Sequence, residues 1–210
     1  MQKYKYPRTY HLPYSKGYTS DDKVLDNDNI FHNMKVVITE KMDGENTTIY
    51  RNGYHARSLD STHKDYHSWL LGYMTSFQYM IPEGYRVCGE YLYAKHSICY
   101  DNLPSYFLVF SIWNDNNECL SWEKTEEFCS NVGLITVPVL FKGVYDKDVS
   151  IKIAEETVSK GGEGIVIRNA DSFFYNDFSS NIAKYVRKNH VQTDKHWSFG
   201  KIERNGLATN

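Results

Sequence analysis

The sequence lacks the features that would place the protein in a membrane, outside the cell or around a structural metal. Its 210 residues contain no apolar run near the ~20 residues of a membrane-spanning helix, and the N-terminus has no apolar signal-peptide core. The four cysteines form no CxxC pair and show no metal-ligand spacing. We therefore predict reduced thiols, a cytoplasmic location and no membrane contact.

An excess of charge of either sign is also missing, because 24 Lys and Arg face 26 Asp and Glu, for a formal net charge of −2. The total charge therefore does not indicate nucleic-acid binding, although a binding groove needs only clustered charge. Aromatic residues are abundant instead, with 18 Tyr and 10 Phe. With 41% hydrophobic residues, this composition is typical of a globular domain with a substantial core.

Hydrophobic periodicity and turn residues predict an α+β fold of mostly antiparallel strands with a few helices. We expect strands at residues 35–41, 47–51, 54–58, 85–92, 106–113, 164–168 and 182–187, and helices at 66–81, 122–132 and 148–160. Asn52-Gly53 predicts a tight hairpin, and Ser121 and Gly133 predict the two caps of the second helix. The first thirty residues are expected to form an extended wrap, and the tail 201–210 is expected to be mobile.

Four charged residues interrupt or border apolar strands. Lys41 follows the apolar run 36–38 and precedes an Asp-Gly turn, Glu90 lies inside VCGEYLY, Glu163 precedes GIVIR, and Lys184 lies inside IAKYV. Charged side chains are rarely buried unless they are paired or used. Each one alone fits an outward-facing polar position, whereas the four together indicate a functional site.

With their neighbours, these residues resemble the motifs of the covalent nucleotidyltransferases, the superfamily of polynucleotide ligases and mRNA capping enzymes. Residues 41–44 (KMDG) match KxDG, 89–98 (GEYLYAKHSI) resemble the third motif of RNA ligases, and 107–113 (FLVFSIW) resemble the aromatic strand after it. Residues 163–168 (EGIVIR) match EGxVxR, and 184–197 resemble the fifth motif and its extension in small RNA ligases. A lone KxDG is weak evidence, but five motifs in order make the resemblance specific.

The resemblance is to small single-domain ATP-dependent RNA ligases, similar to the phage nick-sealing type. It implies an ATP-grasp-like nucleotidyltransferase domain of antiparallel sheets flanked by helices over residues 1–200. We expect no C-terminal oligonucleotide-binding-fold domain, because only residues 188–210 follow the fifth-motif strand.

The implied activity is the joining of RNA 3′-OH and 5′-phosphate ends in RNA repair, with ATP and Mg²⁺ or Mn²⁺. The reaction would pass through lysyl-AMP and RNA-adenylate intermediates in a monomeric protein. Nothing in the chain resembles an end-healing enzyme, so a kinase or phosphatase partner would supply ends of the right chemistry.

The same resemblance assigns the catalytic roles. Lys41 is the nucleophile on the α-phosphorus of ATP, and Lys184 stabilises charge on the α-phosphate. Because the reference pKa of lysine is ~10.4, Lys41 needs a nearby cation, a metal or Lys184, to become neutral. Glu163 is the expected metal ligand, since Gly161-Gly162 before it allows close backbone approach.

Nucleotide binding is also assigned by the resemblance. The residues assigned to it are Thr39, Glu40, Asn46, Arg57, Glu90, Phe110, Lys184 and Arg187. Glu90 suits the ribose hydroxyls because a carboxylate accepts two hydrogen bonds. Phe110 would stack on adenine, with Phe107 and Trp113 as alternative registers. Arg57 would hold a phosphate with its guanidinium fork.

The fifth motif departs from the usual Lys-x-Lys, because Val186 stands where the second lysine is expected. Arg187 and Lys188 are the candidate substitutes. Strand alternation puts Arg187 on the face opposite to Lys184, which favours a pyrophosphate or RNA-phosphate contact. Lys95 and Lys188 are further candidate contacts of a triphosphate or RNA, and residues 187–197 mix cations with aromatics as RNA-binding segments do.

Two other functions stay open at this point. The chain could be another covalent nucleotidyltransferase, such as a minimal DNA ligase or an mRNA capping guanylyltransferase, or a non-catalytic nucleotide-binding module. Covalent labelling by GTP would indicate capping chemistry. The presence of Lys41, Glu90, Glu163 and Lys184 together argues against a decayed site.

Overall fold

The structure, a computed structural model, describes residues 2–188 and 202–209. In chain order its strands are β1 (Tyr10–His11), β2 (Lys35–Glu40), β3 (Glu45–Tyr50), β4 (Gly53–Ala56), β5 (Arg86–Tyr91), β6 (Phe107–Trp113), β7 (Glu118–Cys119), β8 (Ile135–Thr136), β9 (Val139–Val144), β10 (Gly164–Asn169), β11 (Phe173–Phe174) and β12 (Ile182–Val186). The α-helices are α1 (Ser68–Met74), α2 (Trp122–Val132) and α3 (Lys147–Ser159). Short 3₁₀ turns occur at Asn29–Phe31, Asp65–His67, Gln78–Met80 and Tyr175–Ser180.

Two largely antiparallel sheets form the frame of the molecule. The first sheet has the strand order β1-β12-β10-β2-β9, in which only β1 runs parallel to its neighbour. The second has the order β11-β7-β6-β5-β3-β4, and β8 pairs parallel with β6. Because β2 belongs to the first sheet and β3 to the second, the chain crosses between sheets at residues 41–44. The KxDG turn therefore lies between the two sheets.

Each sheet buries one apolar face, and a third cluster joins the two sheets. Ile49 and Phe107 of the second sheet pack with α1 and α2, and Ile165 of the first sheet packs with Ala154 of α3. The third cluster brings Trp113 of the second sheet together with Ile182 of the first. Since apolar burial dominates folding stability, this shared cluster holds the sheets at a fixed separation.

The α+β prediction is confirmed, and α2 begins and ends at the predicted residues. The Ser121 side chain accepts a hydrogen bond from the backbone of Lys124, and Gly133 ends the helix with φ 73°. The helix predicted over 66–81 is instead short, because the hydroxyls of Thr75 and Ser76 donate to backbone carbonyls of the preceding turn and compete with helix continuation. None of the helices in the described part of the chain has the length and apolar character to span a membrane.

The sequence does not predict β9, which forms the edge of the first sheet beside β2. Its segment contains Lys142 and Gly143, which are poor strand residues. The ring of Phe141 covers Gly143, leaving only 2.7 Å to where a Cβ would stand. Pairing along the length of β2 therefore overrides the local composition.

Residues 202–209 of the tail, which the sequence predicts to be mobile, make long-range contacts with the rest of the chain. The Asn205 residue is 1% exposed, and its side chain donates to Leu92 O at 2.8 Å and accepts from Tyr100 N at 3.0 Å. Arg204 forms an isolated bridge with Ala94. These long-range bonds tie residues 202–209 to the segment after β5, a pairing that the polar local sequence does not reveal.

Candidate active site

A cavity of about 530 Å³ opens between the two sheets, within the usual size range of small-molecule sites. It collects side chains from the ends of β2 and β3, from β5 and β6, and from β12. The predicted site residues that line it are Thr39, Glu40, Lys41, Asn46, Arg57, Glu90, Phe110 and Lys184. The fold thus brings together residues that lie up to 145 positions apart, from 39 to 184.

Lys41 lines this cavity and forms a close ion pair with Glu163, which is buried beside it and does not itself line the cavity. The Lys41 Nζ donates to Glu163 Oε2 at 2.7 Å, and the side chains are 25% and 5% exposed. The Lys41 backbone N–H donates to Gly164 O, which ties the end of β2 to β10. Gly164 has φ 155°, and a Cβ there would lie 2.0 Å from Tyr185 O, so the glycine after Glu163 is required by the packing.

Burial and neighbouring charges shift the pKa values of Lys41, Lys184 and Glu90. Burial lowers the pKa of Lys41, but the negative charges of Glu163, Glu90 and Asp43 outweigh burial and raise it above its ordinary value. Burial lowers the pKa of Lys184, and the positive charge of Lys41 lowers it further. Burial also raises the pKa of Glu90 to about 8. Lys41 is therefore held as an ammonium, and a cation that competes for Glu163 would free it.

Glu90 is positioned by the KxDG turn itself. Its Oε1 accepts a hydrogen bond from the Gly44 N–H at 3.1 Å, and its residue lies opposite Asn46 in the β3–β5 pairing. A Cβ at Gly44 would lie 2.6 Å from Tyr91 O, so this glycine allows the turn to approach β5. The carboxylate faces the same cavity as Lys41, at a point where it can accept from a ligand hydroxyl.

The structure distinguishes the three candidate aromatic residues of β6. Phe110 is partly buried and lines the cavity, with its ring 5.0 Å from Tyr6 in an edge arrangement. Phe107 and Trp113 are both 0% exposed in the core and do not line the cavity. Only the Phe110 register therefore presents a ring on which a base could stack.

The donor set fits a divalent metal that shares its coordination with phosphates. Within residues 2–188 and 202–209, no group of three or more His, Cys, Asp or Glu side chains could hold a metal ion by itself. Mg²⁺ commonly takes one or two carboxylates and completes its shell with phosphate oxygens and water. Glu163 would supply the carboxylate, and the Oδ1 of the cavity-lining Asn46 is buried without a hydrogen-bond partner. Both oxygens suit a hard cation or its water ligands.

Besides Glu163, three predicted contacts lie outside the cavity lining. The Lys95 ammonium pairs with Glu203 at 2.8 Å, and Lys188 is exposed. The Arg187 backbone N–H donates to Glu163 O and so helps to fix the backbone of the candidate metal ligand. The Arg187 Nε is buried without a hydrogen-bond partner. Residues 189–201, which include most of the fifth-motif extension, lie outside the described residues.

Sequence reasoning missed the role of Asp43 in KxDG. Its carboxylate accepts bonds from Ser97 N, Ser97 Oγ and Ile98 N, and its backbone N–H donates to the Tyr100 hydroxyl. Asp43 thus fixes the turn to the segment after β5. No local signal in the sequence links residue 43 to residues 97–100.

The N-terminal segment also contributes unpredicted residues to the cavity. Tyr6, Pro7, Arg8, Thr9 and Asp22 line it. β1 holds this segment in place by pairing with β12, which places His11 opposite Lys184.

Comparison with known protein families identifies this arrangement. The model of the RNA ligase family matches residues 34–186. The chain belongs to the RNA ligase family. The match spans the site from Thr39 to Lys184 and confirms the resemblance drawn from the sequence motifs. No curated protein matches the chain in sequence.

Solved structures of ligases share the fold. An archaeal ATP-dependent RNA ligase has a TM-score of 0.57 at 16% identity, over 84% of this chain and 48% of that one. A Naegleria gruberi RNA ligase mutant with ATP and Mn has a TM-score of 0.54 at 15% identity, over 89% and 61%. A putative ATP-dependent DNA ligase from Aquifex aeolicus has a TM-score of 0.56 at 17% identity, over 88% and 50%. This RNA ligase family chain spans less than two thirds of each of them, and the likeness concerns the fold.

Proposed function

We propose that the protein is an ATP-dependent RNA ligase that joins an RNA 3′-OH end to a 5′-phosphate end. The observation that carries the proposal is the Lys41–Glu163 pair, with Lys184 beside it, at a cavity between two sheets. A partly buried lysine with a carboxylate partner and a second cation provides a nucleophile, a metal ligand and a phosphate contact. Family membership supports RNA as the substrate class.

Lys41 would carry the first step. Its Nζ loses a proton to solvent and attacks the α-phosphorus, so that an N–P bond forms and the bond to pyrophosphate breaks. A divalent metal bound at Glu163 would neutralise phosphate charge and lower the pKa of Lys41. Lys184 lies where its ammonium can stabilise charge building on the α-phosphate. The nucleotide would be held by stacking on Phe110 and by hydrogen bonds to Glu90.

The next two steps would transfer AMP and then release it. An oxygen of the RNA 5′-phosphate attacks the lysyl-AMP phosphorus, the N–P bond breaks, and Lys41 regains a proton. The RNA 3′-OH then attacks the activated 5′-phosphate, a phosphodiester forms and AMP leaves. Lys184 can stabilise the phosphate charge in each step, since all three occur at neighbouring phosphates.

A label transfer tests the first step. The protein is incubated with α-labelled ATP, or α-labelled GTP, in Mg²⁺ or Mn²⁺. We expect label on wild-type protein from ATP only, and none on Lys41→Ala. Lys35→Ala is the matched control, because Lys35 is an exposed lysine at the other end of β2. Label from GTP would refute RNA ligation in favour of capping chemistry.

Sealing assays separate RNA from DNA ligation, the second candidate favoured by the likeness to the Aquifex aeolicus protein. We expect sealing of a nick with an RNA 3′-OH strand. Sealing that prefers a DNA 3′-OH strand would overturn the RNA assignment.

We further assign the ligase to RNA repair, downstream of a kinase or phosphatase that heals the ends. This assignment follows from the chemistry, since the proposed reaction consumes only a 5′-phosphate and a 3′-OH. RNA with 5′-OH and 3′-phosphate ends should remain unsealed until a polynucleotide kinase-phosphatase is added. Sealing of such ends by the protein alone would contradict this assignment.

A further inference from the structure

A second groove continues from the nucleotide cavity along the N-terminal segment. It has a volume of about 470 Å³, and Lys5 and Tyr175 line it but not the nucleotide cavity. Arg8 and Arg57 line both spaces. Their neighbours Tyr6, Pro7 and Ser58 line both as well. The groove is therefore continuous with the space in which a phosphate would meet Lys41.

The lining of this groove is cationic. Lys5, Arg8 and Arg57 contribute three positive charges, and none of its lining residues is Asp or Glu. All three side chains are exposed, in a chain whose formal net charge is −2. A local concentration of cations on a protein with a slightly negative total attracts an anionic ligand to this groove in particular.

Contacts with the 3₁₀ turn Tyr175–Ser180, with β3 and with Asp21 hold the segment that carries Lys5 and Arg8 in place. The Tyr175 hydroxyl donates to Lys5 O at 2.6 Å, and the Tyr4 N–H donates to the Tyr50 hydroxyl at 3.0 Å. The Arg8 guanidinium donates to Asp21 O at 2.5 Å. The segment has no regular secondary structure of its own, so these bonds are what fix Lys5 and Arg8 along the groove.

We propose that this groove binds the phosphodiester backbone of the RNA substrate next to its reacting end, with Lys5 as a phosphate contact. The inference rests on the proposed function. Cations that track a backbone beside an aromatic ring such as Tyr175 are the usual elements of single-strand binding. The other source of phosphate is the triphosphate of ATP, and the test separates the two.

The test measures binding of a 5′-phosphorylated single-stranded RNA oligonucleotide to Lys5→Ala over a range of salt concentrations. Loss of one phosphate contact on a single strand should reduce the slope of log K against log salt by about 0.7. Lys5→Arg should restore the slope. Lys3→Ala is the matched control, because Lys3 is an exposed lysine on the same segment outside the groove lining. Covalent labelling by ATP should be unchanged in Lys5→Ala.

Three results would overturn the inference. A wild-type salt slope in Lys5→Ala, or an equal loss in Lys3→Ala, would mean that the groove does not bind RNA. A loss of ATP labelling with unchanged RNA binding would assign the groove to the triphosphate. Failure of the proposed function would be distinct, since the wild-type protein would then take no label from ATP.

Discussion

Replacing Asn205 with alanine should both destabilise the protein and slow its first chemical step. The Asn205 side chain donates to Leu92 O and accepts from Tyr100 N, and the residue is 1% exposed. Alanine would leave one carbonyl and one N–H without partners. At ~1–3 kcal/mol for each of these two groups, we expect a loss of roughly 2–6 kcal/mol in the free energy of unfolding. The melting temperature should fall on the order of 10 °C.

The effect of the substitution should reach Lys41, the proposed nucleophile, through Tyr100 and Asp43. Tyr100, whose N–H bonds to Asn205, accepts the Asp43 N–H on its hydroxyl at 2.9 Å, and Asp43 lies in the turn that carries Lys41. A displacement of a reacting group by about 1 Å can cost about 100-fold in rate. Lysyl-AMP formation, followed as label retained on the protein per unit time below the melting temperature, should therefore be slower.

Glu203→Ala provides the control on the same tail. Its carboxylate makes only a surface ion pair with Lys95, so neither the melting temperature nor the labelling rate should change measurably. An Asn205→Ala protein with the melting temperature and labelling rate of the wild type would refute the reasoning, because it would mean that the tail does not brace the segment after β5.

Other substitutions test the packing and the cavity. Gly17→Ala should lower the free energy of unfolding by about 1–3 kcal/mol or more through overpacking, since its Cβ would lie 1.9 Å from Arg187 O. The loss should appear as a lower melting temperature. Gly72→Ala, where a Cβ meets nothing within 4 Å, should raise stability by about 0.5–1 kcal/mol in the same thermal scan. Phe110→Ala should raise the ATP concentration needed for half-maximal labelling and should lower stability less than truncation of a fully buried phenylalanine, because Phe110 is only partly buried. Phe107→Ala, at a fully buried position, should instead lower the free energy of unfolding by ~3–5 kcal/mol in a denaturant titration. Equal effects of the two substitutions on ATP labelling and on stability would contradict the assigned register. Lys95→Ala should label at the wild-type rate, because the Lys95 ammonium pairs with Glu203 outside the cavity. A slower labelling rate would support the predicted contact between Lys95 and the triphosphate.

The elements that the sequence predicts well are those whose own residues decide them. The α2 helix has a capping serine, an apolar face and a terminal glycine, and the structure has it at the predicted residues. The strand β9 has none of these local signals, since it contains Lys142 and Gly143 and exists because β2 offers an edge. The sequence around Asn205 likewise contains no signal that the tail returns to the segment after β5.

A similar division applies to the site. Residues carried by strand motifs, such as Lys41, Glu90 and Lys184, line the predicted cavity because a motif fixes both the residue and its strand. Lys95 is predicted from its closeness in sequence to the third motif, but its ammonium pairs with Glu203 and does not line the cavity. The groove at Lys5 depends on where an irregular segment packs, which no periodicity encodes.

The arrangement around Lys41 suits a side chain that has to change partners. Its ammonium is paired with Glu163 at 2.7 Å, so attack on a phosphorus requires that this bond be broken. The backbone, by contrast, is held on both sides by bonds that do not involve the ammonium. The Lys41 N–H bonds to Gly164 O, and Asp43 is held by Ser97 and Tyr100. Because these bonds do not involve the ammonium, opening of the ion pair would release the side chain and leave the backbone in place, as the proposed nucleophile requires for a fixed line of attack.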